Sequence, residues 1–291
     1  MHKTRYNALR LTLHLSPRGP LLIKAGGVSA DPALPDMQFV RTSHPQKSEI
    51  VYIPGSSLKG VVRGFVEKAL RTLGDEQSWK WACPTFPDDQ SSCAKRLEKE
   101  ENSATVYKRS CGACRTFGHT RLKGRVSFTD LFPVDKVRTE IRYGVAISRL
   151  SHAVAHGPFE MEVAVSGTFE GHLVLENFEI WQLGLLALAL ESMDQGLIKV
   201  GFGKNRGFGE VAVSVQEAWL DEVAPGADAA VWRGLASFLD EEDRKAYGLF
   251  LPEKIANMPQ PERVETAGFY LRRVYNPKGW KRAAREAVQA L

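Results

Sequence analysis

The sequence predicts an α+β fold in the order strand, helix, several strands, helix, strand, and three observations carry that reading. Leu9, Leu11, Leu13 and Leu15 alternate with Arg10, Thr12 and His14, the period-two pattern of a half-buried strand over residues 5–15. Leu58, Val61, Val62, Phe65, Val66, Ala69, Leu70 and Leu73 recur at helical spacing, as do Ile180, Leu183, Leu186, Ala187 and Leu190 within residues 178–193. Residues 210–215 then read as a closing strand. A βαββαβ order of this kind is ferredoxin-like. Insertions over about 25–48, 74–125 and 134–158 would decorate one core spanning residues 1–215.

Taken in order, the first strand leads through Leu21–Ile23 to a stretch, 25–48, rich in Gly, Pro and polar residues. Unstructured segments of this length inside compact domains are functional or disordered. Its Asp31 and Asp36 fit turn formation as well as chemistry. Tyr52-Ile53-Pro54 is extended, because the residue before proline is held away from helical angles. Gly55 turns the chain, and Ser56 or Ser57 is the expected N-cap of the following helix. Lys59 and Arg63 lie four apart on one side of it. Free N–H groups, hydroxyls and cations at a helix start suit phosphate; the same residues also suit an ordinary capped helix.

All four cysteines follow within one segment: Cys83, Cys93, Cys111 and Cys114. A Cys-x-x-Cys pair with two further thiols suits tetrahedral zinc. His119 is an expected substitute if one of the first two cysteines is out of reach. Four protein ligands leave no open position, so such a zinc is structural. Basic residues outnumber acids between Lys95 and Arg125, which predicts a basic patch. Residues 124–131 read as a strand, and 159–175 as one bent strand or two short ones. His152 and His156, with no third ligand, read as surface residues. Gly196 is the expected C-cap of the second helix.

Gly201–Gly209 is not a dinucleotide fingerprint, which follows a strand and opens a helix. Here the glycines follow a helix and open a strand. The loop reads instead as backbone that approaches a sugar-phosphate chain, with Lys204, Asn205 and Arg206 as donors. Residues 216–291 read as a helical extension with a proline-rich linker at 252–261 and a basic amphipathic helix at 277–291.

Composition sets the outer limits. The chain has 291 residues, 43% hydrophobic and 25% charged, with net charge +5, which permits a polyanionic partner without requiring one. The run Leu183–Leu190 is too short to cross a bilayer, and the N-terminus shows no signal-peptide pattern. A soluble, cytoplasmic protein with no membrane partner is expected.

Three blocks together carry a resemblance. Ile53-Pro54-Gly55-Ser56-Ser57-Leu58-Lys59-Gly60 with Arg63, then Cys111–Gly118, then Gly201–Gly209 resemble the ordered motifs of the RAMP superfamily, RNA-binding subunits of CRISPR effector complexes. The first two are most similar to backbone subunits of type III effectors. That resemblance implies an RRM-like core with a zinc-binding insertion and a projecting hairpin, a guide RNA and a target RNA as partners, and other effector subunits as neighbours. It implies RNA contacts at Lys24, Arg41, Ser56, Ser57, Lys59, Arg63, Arg149, Lys204, Asn205 and Arg206, with Ile147–Leu150 leading into the hairpin. It implies metal-dependent cleavage of target RNA, with Mg²⁺, by a loop aspartate followed by a basic residue. Asp36-Met-Gln-Phe-Val-Arg41 fits that arrangement, with Asp31 as the fallback. A non-catalytic scaffold subunit and a guide-processing endoribonuclease are the alternatives.

Overall fold

The computed structural model describes residues 3–26, 34–44, 48–84, 86, 90–223 and 228–291. β1 (Asn7–Pro17) keeps the expected alternation, with Leu9, Leu11, Leu13 and Leu15 buried and Arg10, Thr12 and His14 partly exposed. The hairpin of β2 (Arg41–His44) and β3 (Ser48–Val51) leads into α1 (Gly55–Leu73). The insertion after α1 holds α2 (Cys93–Arg96), α3 (Ser103–Arg109) and α4 (Gly112–Phe117), then the short pair β4 (Gly118–His119) and β5 (Leu122–Lys123). Next come β6 (Val126–Phe128), β7 (Phe132–Pro133), the long antiparallel hairpin β8 (Arg138–Ile147) and β9 (Val154–Ser166), and β10 (Phe169–Glu176). The 159–175 stretch is therefore two strands that break at Gly167, whose positive φ a side chain would strain. α5 (Ile180–Asp194) and β11 (Val211–Val223) follow.

The main sheet is antiparallel. Its order is β11-β1-β10-β6 at the centre, with β7 also on β10. The apolar side of β1 meets both helices: Leu13 and Leu15 pack with Leu58 of α1 and with Leu190 and Met193 of α5. Each such buried side chain contributes about 1.5–3 kcal/mol, so this seam fixes which sheet face the helices cover. α1 is amphipathic, as its spacing predicts, whereas α5 is apolar all round. The reason lies on its far side. There α7 (Pro277–Gln289) buries Trp280, Ala283 and Ala287 against it, and Gly184 lets the Ala287 carbonyl approach.

The C-terminal region corrects one expectation. Residues 216–291 are not simply helical: they hold β12 (Trp232–Arg233), α6 (Glu241–Tyr247), β13 (Lys254–Ile255), β14 (Arg263–Ala267) and β15 (Tyr270–Tyr275), besides α7. β11 itself runs past residue 216 to Val223, which presents a long edge of unpaired backbone groups. β15 pairs along that edge and β14 pairs with β15, extending the sheet to β14-β15-β11-β1-β10-β6. The terminal amphipathic helix thus docks on its own chain. Among the described residues, no helix is long and apolar enough to cross a membrane.

Candidate nucleic-acid interface and metal centre

The cysteine spacing folds into a compact site. Cys83 comes from the segment after α1, Cys93 from the start of α2, and Cys111 and Cys114 from the start of α4. All four are buried, and their Sγ atoms lie within 4.8 Å of one another. Cys83 and Cys114 Sγ are 3.7 Å apart, far beyond a disulfide. A tetrahedral zinc with Zn–S bonds of about 2.3 Å has S–S edges of about 3.8 Å. The donor set therefore fits zinc. The Cys111 N–H donates to Cys93 Sγ at 3.3 Å, and the Cys114 N–H to Cys111 Sγ at 3.4 Å. Hydrogen bonds with Cys111, Cys114 and Cys93 hold the Cys83 thiol well below its usual range. Bonds with Cys111, Cys83 and Cys93 push Cys114 up. A bound dication would displace the protons that such a set retains. His119 stays outside the cluster, with Nε2 3.0 Å from Ser110 Oγ. Because both Cys83 and Cys93 reach the site, no substitute ligand is needed.

The start of α1 differs from its sequence reading. The N-cap is Pro54, at φ −59° and ψ 133°, rather than Ser56 or Ser57. The Gly55 N–H instead donates to the Asp130 carboxylate at 2.8 Å, an acceptor 75 residues downstream that local sequence does not reveal. Ser56 is left exposed at the first turn and Ser57 half-buried. Lys59, one turn further, has no ion-pair partner among the described residues; burial, then the neighbouring Arg63 charge, pulls its ammonium below the usual value. Arg63 itself is engaged. It donates to Glu67 at 2.7 Å and to the Gly118 carbonyl at 3.0 Å, and it lies 3.8 Å from Cys114 Sγ. It ties α1 to the cysteine cluster.

The glycine loop packs on the segment that follows β1, at Leu22. The Phe202 N–H donates to the Leu22 carbonyl at 2.7 Å, and a Cβ at Gly201 would collide with that carbonyl. Lys204–Arg206 form one 3₁₀ turn between Gly203 and Gly207, with all three side chains exposed. Arg206 lies over the Phe202 ring, 5.0 Å from its centroid. From Leu22 the connection runs sideways. Lys24 bridges to Phe39, the Val40 N–H donates to the Ile23 carbonyl, and Met37 bridges to Met161 of β9. One backbone ladder therefore joins the glycine loop, the exposed Lys24, the 34–41 segment and the base of the β8–β9 hairpin.

Asp36 sits on that ladder, exposed, with its carboxylate accepting the Glu160 N–H at 2.9 Å. Asp31 lies outside the described residues. Arg41 is already paired with Glu162 of β9, through contacts of 2.7 and 2.5 Å. That hydrogen-bonded pairing raises the Arg41 pKa. Of the expected RNA contacts, Arg41 and Arg63 thus hold internal carboxylates. The basic heads of Lys24, Lys59, Arg149, Lys204 and Arg206 have no such partner among the described residues. Arg149 is placed differently from its expectation: Ile147 ends β8, and Arg149 lies in the turn at the far end of the hairpin, beside a 94% exposed Leu150. His152 and His156 are exposed on the same hairpin and, among the described residues, form no metal-ligating group.

A family model described as the RAMP superfamily matches residues 15–212, from the end of β1 to the start of β11. No curated protein matches the chain. The matched span contains the α1 motif, the cysteine cluster, the projecting hairpin and the glycine loop. The chain belongs to the RAMP superfamily, which brings with it a CRISPR-associated RNA-binding role.

Proposed function

We propose that this chain is a guide-RNA-binding backbone subunit of a type III CRISPR effector and that it cleaves target RNA. The observation that carries the reading is the backbone ladder joining the glycine loop, Lys24, Asp36 and the hairpin base. It links the exposed Lys24 and the glycine loop with its exposed Lys204 and Arg206 to the segment that carries Asp36, as a single RNA path past a cutting site requires. The sheet order β11-β1-β10-β6, with α1 and α5 in the crossovers, supports a ferredoxin-like, RRM-like core over residues 1–215.

In this reading Lys24, Ser56, Ser57, Lys59 and Lys204–Arg206 hold the guide backbone. Arg41 and Arg63 keep the site in shape through Glu162 and Glu67. The β8–β9 hairpin, with Arg149 at its end, reaches toward the guide–target duplex, and zinc on the four cysteines holds the insertion against α1. Target cleavage would proceed by attack of the adjacent 2′-hydroxyl on its phosphate, leaving a 2′,3′-cyclic phosphate and a 5′-oxygen that takes a proton from water to become a hydroxyl. Asp36 would orient the 2′-hydroxyl and accept its proton, and positioning by the bound guide supplies much of the rate. Were a Mg²⁺ to take part, Asp36 is the side chain that would hold it, and the ion would supply positive charge to offset the charge developing on the phosphate.

The cationic contacts are separately testable. Lys59→Ala and Arg206→Ala are each expected to lower guide RNA retention by roughly tenfold to a hundredfold, the scale of one lost charge-assisted hydrogen bond. Melting temperature should be unchanged, since neither head is part of an internal ion pair. Unchanged RNA occupancy, read as the ratio of absorbance at the nucleic-acid and protein maxima, would remove these two residues from the interface. A scaffold that binds RNA without cutting is the second reading. It is favoured by one observation: among the described residues, Asp36 belongs to no group of three metal-ligating side chains.

A further inference from the structure

The basic stretch between Lys95 and Arg125 has no place in the interface just described, yet it folds around a pocket of its own. Arg96, Lys108 and Arg109 come together beside Trp81 and Phe250, at a cavity of about 410 Å³ floored by Arg115. Four cations face it against the single carboxylate of Glu76. Trp81 is half-buried, with the Arg96 guanidinium over its ring at 5.3 Å. Arg115 lies over the Phe250 ring at 4.6 Å.

Arg96 and Lys108 are held by backbone carbonyls, while Arg109 and Arg115 each have one carboxylate within 4 Å. Arg96 donates to the Arg109 carbonyl at 2.7 Å, and Lys108 to the Lys245 carbonyl at 3.1 Å. Arg115 donates to the carbonyls of Ser110, Gly248 and Lys108, and Glu179 stands 3.7 Å away on its buried side. Arg109 has only a long contact with Glu100, at 3.8 Å. Carbonyl partners fix a guanidinium or ammonium without cancelling its charge, so the pocket keeps a positive field. An aromatic ring set among such cations is the combination that single-stranded nucleic acid uses, the phosphate on the cations and the base on the ring.

We infer that this pocket is a second RNA contact, one that takes a nucleotide of a single strand with its phosphate on Arg96, Lys108 and Arg109 and its base against Trp81. The inference rests on the RNA-binding reading, and it adds a site beside the cysteine cluster that shares no lining residue with the glycine loop. Trp81 and Arg96 lie close to the cluster, so the testing variant avoids both.

The experiment uses the full chain, a fluorescein-labelled oligouridine and fluorescence anisotropy across a salt series. The Lys108→Gln/Arg109→Gln double variant is compared with Lys204→Gln/Arg206→Gln. Removing two phosphate contacts from a single strand should lower the log–log salt slope by about 1.4 and weaken binding by about tenfold or more at low salt. Crosslinking with a 4-thiouridine oligomer should label the peptide containing Trp81 in the wild type, and markedly less in the pocket variant. If the pocket variant keeps the wild-type slope while the loop variant loses binding, the pocket is overturned and the guide-binding reading stands. If uridine monophosphate competes as well as the strand per nucleotide, the pocket takes a free nucleotide and the strand assignment fails. If the wild type binds no oligouridine, the pocket and the RNA-binding reading fail together.

Discussion

Replacing Asp36 with alanine is expected to abolish target-RNA cleavage by the guide-loaded complex, lowering the rate by roughly 10²–10⁴-fold, the range spanned by a lost general acid or base. Target binding should stay intact, because the side chain is exposed and its one internal bond is to the Glu160 N–H. Asp36→Asn separates charge from shape: it keeps an acceptor for that N–H and removes the base. It should be as inactive as the alanine variant. Gel analysis of labelled target with Mg²⁺ reads both. Equal cutting by wild type and both variants would exonerate Asp36 and move attention to Asp31 or to another subunit. No cutting even by wild type would favour the scaffold.

Loss of the metal should have the largest structural effect. Cys111→Ser/Cys114→Ser removes two of four ligands from a fully buried site, and a strong chelator removes the ion itself. Binding energy at a structural zinc site is folding energy. A loss of about 3 kcal/mol or more is expected, lowering Tm by roughly 6 °C or more in a chain of this size. The damage should not stay local. Trp79, just before Cys83, stacks on Trp181 of α5 at 4.9 Å, and Arg63 joins the cluster to α1. Circular dichroism with metal analysis of the freshly purified protein checks this. Four free thiols with no bound zinc, or an unchanged melting curve after chelation, would contradict the assignment.

What could be read from the sequence follows from how local each cause is. The alternation of β1 and the apolar stripe of α1 are local patterns, and both elements form where the patterns place them. The four cysteines are scattered in sequence, and a Cys-x-x-Cys pair with two further thiols favoured zinc over free thiols or a redox pair; their Sγ atoms do converge. Arg63 was expected at the RNA, yet it pairs with Glu67 four residues along the same helix. The partners of Gly55 and Arg41 were not, since Asp130 and Glu162 arrive from 75 and 121 residues away. β14 escaped for a different reason: four of its five residues are exposed, so it carries no buried period, and it forms because β15 offers it backbone partners. α5 shows how tertiary context changes a stripe into a helix buried on opposite sides once α7 covers its outer side.

The central claim is that this chain holds guide RNA, and its most direct test is what the protein carries when purified from cells that express it with its own CRISPR array and companion subunits. The account predicts co-purifying RNA of uniform length bearing repeat-derived sequence, released by high salt and depleted in the Lys59→Ala and Arg206→Ala variants. Protein that is folded, zinc-loaded and free of RNA under those conditions would contradict it.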